Sequence, residues 1–171
     1  MNKIEGVVIA IVRDVEDPLK LGRIRVHFPW MDDDHITDWI RIATMYGGDG
    51  KGSFFIPDPG DEVLVAFEHG SGRVPIMIGA MWNGNGQPPT EPVRERRLQS
   101  RNGHKIRMLD STPVSGNKGA LVVEDAHGNR ITMTNGKIRI ESVALLEVAA
   151  PVISLTGPGY RRIVLPNNNP I

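Results

Sequence analysis

The residues of this chain best suited to chemistry lie in "MDDDHITDW", where Asp32, Asp33, Asp34, His35 and Asp38 gather four carboxylates and an imidazole. Such groups bind a divalent cation when they converge at about 2.0–2.6 Å, or act as acid and base when suitably paired. Consecutive aspartates in a loop converge only if the backbone coils tightly around them. The segment has neither the alternation of a calcium loop nor a His-Glu-x-x-His helix. It therefore reads as a solvated loop between two strands, with no metal. His27, His69, His104 and His127 are scattered, and His69 and His127 each precede a glycine at a turn. No serine or threonine stands in a nucleophile-elbow setting. "GGDGKGS" lacks the Walker spacing and runs into a strand, so no helix N-terminus is available to hold phosphate. It reads as a flexible loop at one end of a barrel. The expectation is no catalytic residue, no cofactor and no enzymatic activity.

The elements that carry these residues are strands. Gly 19 and Pro 13 in a chain of 171 residues leave little room for long helices. "GVVIAIVRDV" predicts a buried strand ended by the turn "EDPLKLG". In "RIRVHFPW", Ile24, Val26, Phe28 and Trp30 fall on one face and Arg23, Arg25 and His27 on the other, the period of a half-buried strand. "DWIRIAT" repeats it, with Trp39 and Arg41 against Ile40 and Ile42. "DEVLVAF" is apolar on both faces, as a strand inside a closed barrel should be. Several short strands over residues 1–82 thus predict a small antiparallel barrel, with an OB-like Greek key leading.

Residues 83–102, "NGNGQPPTEPVRERRLQSRN", are rich in Gly, Pro and charge and predict an exposed connector. Beyond it come short, similar segments whose apolar pairs are Ile106/Met108, Ile131/Met133, Ile138/Ile140, Leu146/Val148 and Ile153/Leu155. Each segment offers one narrow apolar stripe and one polar face. A fully buried apolar side chain is worth about 1.5–3 kcal/mol, but a single ribbon has nothing to bury its stripe against. Residues 103–157 are therefore expected to form an intertwined β-helix or β-prism needle from several identical chains, with these ten residues as its core. Residues 158–171 are the expected tip or tail.

Composition narrows the function. Twenty Lys and Arg balance twenty Asp and Glu, which removes any bulk attraction to nucleic acid or an anionic membrane. Cysteine is absent, so disulfides and thiolate metal sites are excluded. No apolar run reaches the roughly 20 residues of a membrane span. "MNKIEGVVIAIVRDVEDP" carries Glu5 ahead of its short apolar run and no small-residue cleavage site, so it predicts a strand and no secretory signal. An OB-like barrel still raises a second possibility, a nucleic-acid-binding module with an oligomerising β tail, in which Arg23 and Arg25 would meet phosphate. Against it, Phe28, Trp30 and Phe67 alternate with aliphatic neighbours and predict core positions, not stacking platforms.

Taken in order, "GRIRVHFPWMDDD", "DWIRIAT", "GSFFIPDPGDEVLVAFEHGSGRVPIMIGAMWNG", "GHKIRMLD" and "EDAHGNRITM" resemble the spike proteins of contractile injection systems, the type VI secretion VgrG proteins and the phage baseplate assembly protein V family. The resemblance runs from about Gly6 to Gly157. It implies an OB-fold domain followed by a trimeric β-helical needle, and a homotrimeric central spike that pierces a target envelope when the sheath contracts. It also implies a hub protein at the OB end and a PAAR-type tip protein at the needle end. Contact with the target membrane would be transient, and no nucleic acid would be bound. Assembly would take place in the bacterial cytoplasm, within a virion or phage-tail-like particle. The chain begins almost at the first barrel strand, so the hub is expected as a separate polypeptide. No inserted or appended effector domain is apparent, so envelope digestion is not expected.

Overall fold

Alternation of buried and open side chains along short strands organises the whole chain. The computed structural model describes residues 6–31, 35–70, 72–112 and 116–164. They hold strands and one turn of 3-10 helix, Glu68–Gly70, in two units, Met1–Pro88 and Pro89–Ile171. The fold is all-β.

In the first unit, β1 (Val7–Asp14), β2 (Arg25–His27), β3 (Arg41–Ile42), β6 (Glu62–Phe67) and β7 (Pro75–Met81) form one sheet in the order β2-β1-β6-β7-β3. A small hairpin, β4 (Gly47–Gly48) with β5 (Lys51–Gly52), stands apart from it. Bridges from Ile24 to Ile40 and from His27 to Ile36 link β2 to the stretch that continues into β3. The two edges of the sheet thus meet through one length of chain, giving an OB-like, partly closed barrel. The pair β3–β7 is parallel, where an all-antiparallel barrel was expected. Five strands in a ring cannot alternate direction all the way round, so one pair has to run parallel.

The core is Ala10, Val12, Ile24, Val26, Phe28, Ile40, Val63, Val65, Phe67 and Met77. Leu64 and Ala66, on the second face of β6, are half-buried. Two expected placements change. His27 is buried, not solvated, because the stretch leading to β3 covers it, and its Nδ1 lies 3.3 Å from the carbonyl of His35. Trp30 is 56% exposed, lying on Phe28 from outside with ring centroids 5.4 Å apart, because the chain turns after Phe28 (Met31 N–H to Phe28 O, 2.9 Å).

The turn "EDPLKLG" is built around Asp17. Its buried carboxylate accepts the backbone N–H groups of Leu19, Leu21 and Arg23, and the Arg23 guanidinium at 2.9 and 2.6 Å. Arg23 first, with those amides, holds the carboxyl well below the usual carboxylate range against the opposing effect of burial.

In the second unit, β8 (Glu95–Gln99), β9 (Lys105–Leu109), β10 (Ala120–Glu124), β11 (Arg130–Thr134) and β12 (Lys137–Glu141) pair antiparallel in chain order. A hairpin follows, β13 (Ile153–Gly157) with β14 (Tyr160–Val164). The two-residue link between β11 and β12 is Asn135-Gly136, both at positive φ (39° and 73°), the turn whose twist suits a tight hairpin. The segmentation departs from expectation in four ways. The expected connector contains β8, since Arg97 and Leu98 find partners across β9. The strand β10 forms in "ALVVE", where the sequence shows no alternation. Leu146 and Val148 lie in no strand. Residues expected as tip or tail supply β14. Within one chain these five strands pair with one another as a meander.

Candidate functional site

Antiparallel register places directly opposed residues on the same face. In the five-stranded sheet one row runs Leu98, Ile106, Val123, Ile131, Ile140, and a second runs Arg96, Met108, Leu121, Met133, Ile138. Nine of these ten side chains are apolar, and together they make one continuous face. It is open in the single chain: Ile138 is 70% exposed, Ile140 55% and Ile106 44%. Its one charge, Arg96, sits at a corner and pairs with Asp110 at 2.8 Å.

The opposite face is charged and satisfied within the chain. Glu95 accepts from Arg97 and Arg107 at 2.7 and 2.8 Å. Lys105 meets Glu124 across β9 and β10 at 3.1 Å, and Arg130 meets Glu141 across β11 and β12. Val122, opposite Arg107 and Thr132 in this face, is only 6% exposed. Long basic side chains cover apolar surface with their stems while their heads stay in water. One face of the sheet is therefore complete in a single chain and the other is not.

Glu95 is the best-held group of the charged face. Arg107 first, opposed by burial, and then Arg97 bring its carboxyl from the ordinary 4.5 down to about 2. A carboxylate with a depressed folded value contributes stability that is fully present above its unfolded value. That contribution is lost as pH falls through the folded one. Glu95 should therefore stabilise the second unit fully above pH 4.5 and lose its contribution on the way to pH 2. Acid titrations followed by circular dichroism should show a weaker pH dependence in that window for Glu95→Gln than for the unchanged chain. Identical slopes would show that the Arg–Glu cluster does not support the fold.

Six of the ten expected core residues, Ile106, Met108, Ile131, Met133, Ile138 and Ile140, come together on the open face. Leu98, Leu121 and Val123 join them. Leu146 and Val148 are exposed outside any strand, and Ile153 and Leu155 lie on β13, so none of these four belongs to the face. The acidic run Asp32, Asp33 and Asp34 lies outside the described residues. His35 and Asp38, beside it, are exposed. Among the described residues no three carboxylate or imidazole groups gather closely enough to hold a metal. The two arginines that a nucleic-acid reading would use are engaged inside the first unit. Arg23 is bound to Asp17. Arg25 donates to the Thr37 carbonyl at 2.9 Å and lies 5.9 Å from the centre of the Trp39 ring.

Residues 8–82 match a protein family described as the type VI secretion system/phage-baseplate injector OB domain. Over 111 residues, 63% of its length, the chain is 32% identical to the type VI secretion system spike protein VgrG5 of Pseudomonas aeruginosa. It is 35% identical over 72 residues, 40% of its length, to the spike protein VgrG3 of Vibrio cholerae. Over 74 residues, 41% of its length, it is 36% identical to VgrG1a of Pseudomonas aeruginosa. The matched parts span 13%, 7% and 12% of those relatives' own lengths.

Proposed function

We propose, for a chain that is a VgrG-like member of the baseplate and spike family, that it works as a non-enzymatic homotrimeric spike of a contractile injection machine. Three copies would turn the open faces of their second units toward a common axis, with Ile106, Met108, Ile131, Met133, Ile138 and Ile140 inside. The ion-paired faces would then meet water. The single observation that carries this reading is the two-sided sheet, whose charged face is satisfied and whose apolar face is bare. These nine apolar side chains are already partly covered by their own sheet, so each would gain only part of the roughly 1.5–3 kcal/mol of full burial, and together they still favour association. Piercing asks only for a rigid, closed body, since sheath contraction supplies the force. The same reading gives the first unit a hub protein as its neighbour and the far end of the needle a PAAR-type tip protein. The particle would be assembled in the bacterial cytoplasm.

The test is the mass in solution. Sedimentation equilibrium at micromolar concentration should give about three times the 18.8 kDa of one chain. Residues 1–88 alone should stay folded, because their core is their own, and should sediment as a monomer. A stable monomer of the full chain would overturn the trimer. A firmly trimeric 1–88 fragment would move the association site to the first unit.

A further inference from the structure

The first unit carries a second open feature that the trimer reading does not use. β3 covers the outer edge of β7 only at Ile76 and Met77, where Ala43 N–H donates to Met77 O at 2.8 Å. Over the remaining residues of β7, up to Met81, β6 lies on one side and no described strand on the other. The register shift between Leu64 and Val65 leaves Ile78 as the extra residue of a bulge, and it is 43% exposed.

This edge borders a groove of about 890 Å³. The apolar walls are Leu21, Met45, Tyr46, Phe54, Phe55 and Ile78, all exposed, Met45 and Phe54 by 85% and 79%. The β4–β5 hairpin and its flanks form the far wall and are tied down. Ser53 N–H donates to Tyr46 O at 2.7 Å, and Thr44 Oγ1 donates to Ser53 O at 2.6 Å. The charged residues lining the groove are Lys20 and Lys51, with no carboxylate among them.

We propose that this groove is a strand-addition site for an extended segment of another polypeptide, with apolar side chains at alternate positions and carboxylates flanking them. The bare edge presents backbone donors and acceptors that only another backbone can match along their length. At about 3.3 Å per residue, the four residues from 78 to 81 would hold a segment about 13 Å long. Every second side chain of that segment would face the aromatic wall. The lysines select the sign of the flanks. They also argue against a second copy docking groove to groove, because its own lysines would meet them. A lipid surface would use the exposed Phe54 and Phe55 but would leave the strand edge unmatched.

The test uses the full chain to select from a displayed library of random dodecapeptides. The winners should share alternating apolar residues with acidic flanks. The resynthesised peptides should add protection from hydrogen exchange at those amides of 78–81 that point away from β6. Phe54→Asp, at an exposed position, should weaken them by at least about tenfold with the melting temperature unchanged. Lys20→Glu with Lys51→Glu should reverse the preferred flank charge. If Phe54→Asp disturbs folding, N-methylation of alternate peptide amides takes its place and should abolish binding. Selected peptides without the pattern, or no added protection at 78–81, would overturn the proposal. So would unchanged affinity after N-methylation, or binding to phosphatidylcholine–phosphatidylglycerol vesicles in place of peptides. None of these outcomes depends on the trimer, whose failure would be read separately from the sedimenting mass.

Discussion

Ile140→Asp should abolish the trimer while leaving the sheet of each chain standing. Ile140 opposes Ile131 in the apolar face and is 55% exposed in the single chain, so one aspartate there is hydrated and tolerated. In the assembly three such carboxylates would be brought together away from water. Burial and mutual repulsion both oppose their ionisation. Unpaired buried charges cost on the order of 3–5 kcal/mol, enough to shift association by orders of magnitude. Arg139→Thr, one residue away, alters the other face. There Arg139 is 59% exposed and its partner is Glu141 at 2.7 Å, so the loss should stay within about 1 kcal/mol. Sedimentation velocity should show monomer for the first variant and trimer for the second, with matching far-ultraviolet spectra. Should Ile140→Asp unfold the chain, Ile140→Thr gives the same comparison more gently. Trimers from both variants would remove the apolar face from the interface.

Gly119→Ala should destabilise the second unit more than any other single methyl group added at a glycine of its sheet. Gly119 adopts φ +90°, and a Cβ there would collide with the carbonyl oxygen of Leu109. That oxygen belongs to backbone at the end of β9, so it cannot swing aside as a side chain would. The register pair Ala120–Leu109 must open, and with it the hydrogen bond from Thr134 Oγ1 to the Gly119 carbonyl. Strain at such a φ is of order 1–3 kcal/mol before the clash is counted, so a loss of at least about 3 kcal/mol is expected. Gly136→Ala is the control. Its φ is +73°, but nothing lies within 4 Å of the added carbon, and it should lose only about 1 kcal/mol. Urea denaturation of both variants measures the difference. Equal midpoints would mean that the β9–β10 connection relaxes freely.

Clean alternation is legible in the sequence. Ile24, Val26 and Phe28 in β2 and its continuation, and Val63, Val65 and Phe67 in β6, are buried as their period of two requires. The same reasoning placed Ile106 with Met108, Ile131 with Met133 and Ile138 with Ile140 on common faces. It failed where a second influence broke the period. In "ALVVE", Val122 lies on the charged face beneath arginine stems, so the segment reads as an unpatterned apolar run with no strand period. "RERRLQ" reads as a connector because its stability comes from Glu95, Arg97 and Arg107, an arrangement visible only once β9 lies alongside. Trp30 continued the alternation on paper, but the turn at Phe28 and Met31 had already ended the strand. "LLEVAAP" has the composition of a strand but lies in none of the described strands.

The order of strands in the second unit also sets the order of events when the protein forms. Every pairing from β8 to β12 joins neighbours in sequence, so each loop that must close is short and closes early. A chain of this kind can complete its sheet alone, at a rate independent of how much protein is present. Association into the proposed trimer would then be a later, bimolecular event among finished surfaces, whose speed falls with dilution. A needle woven from three interleaved chains would lack that separation, because no chain could find its partners within itself. Between the two events a folded chain presents Ile138 and Ile140 to any neighbour. If the proposed trimer forms this way, the hazard during production is sticking between finished sheets before three of them meet, and it grows with concentration as the assembly does.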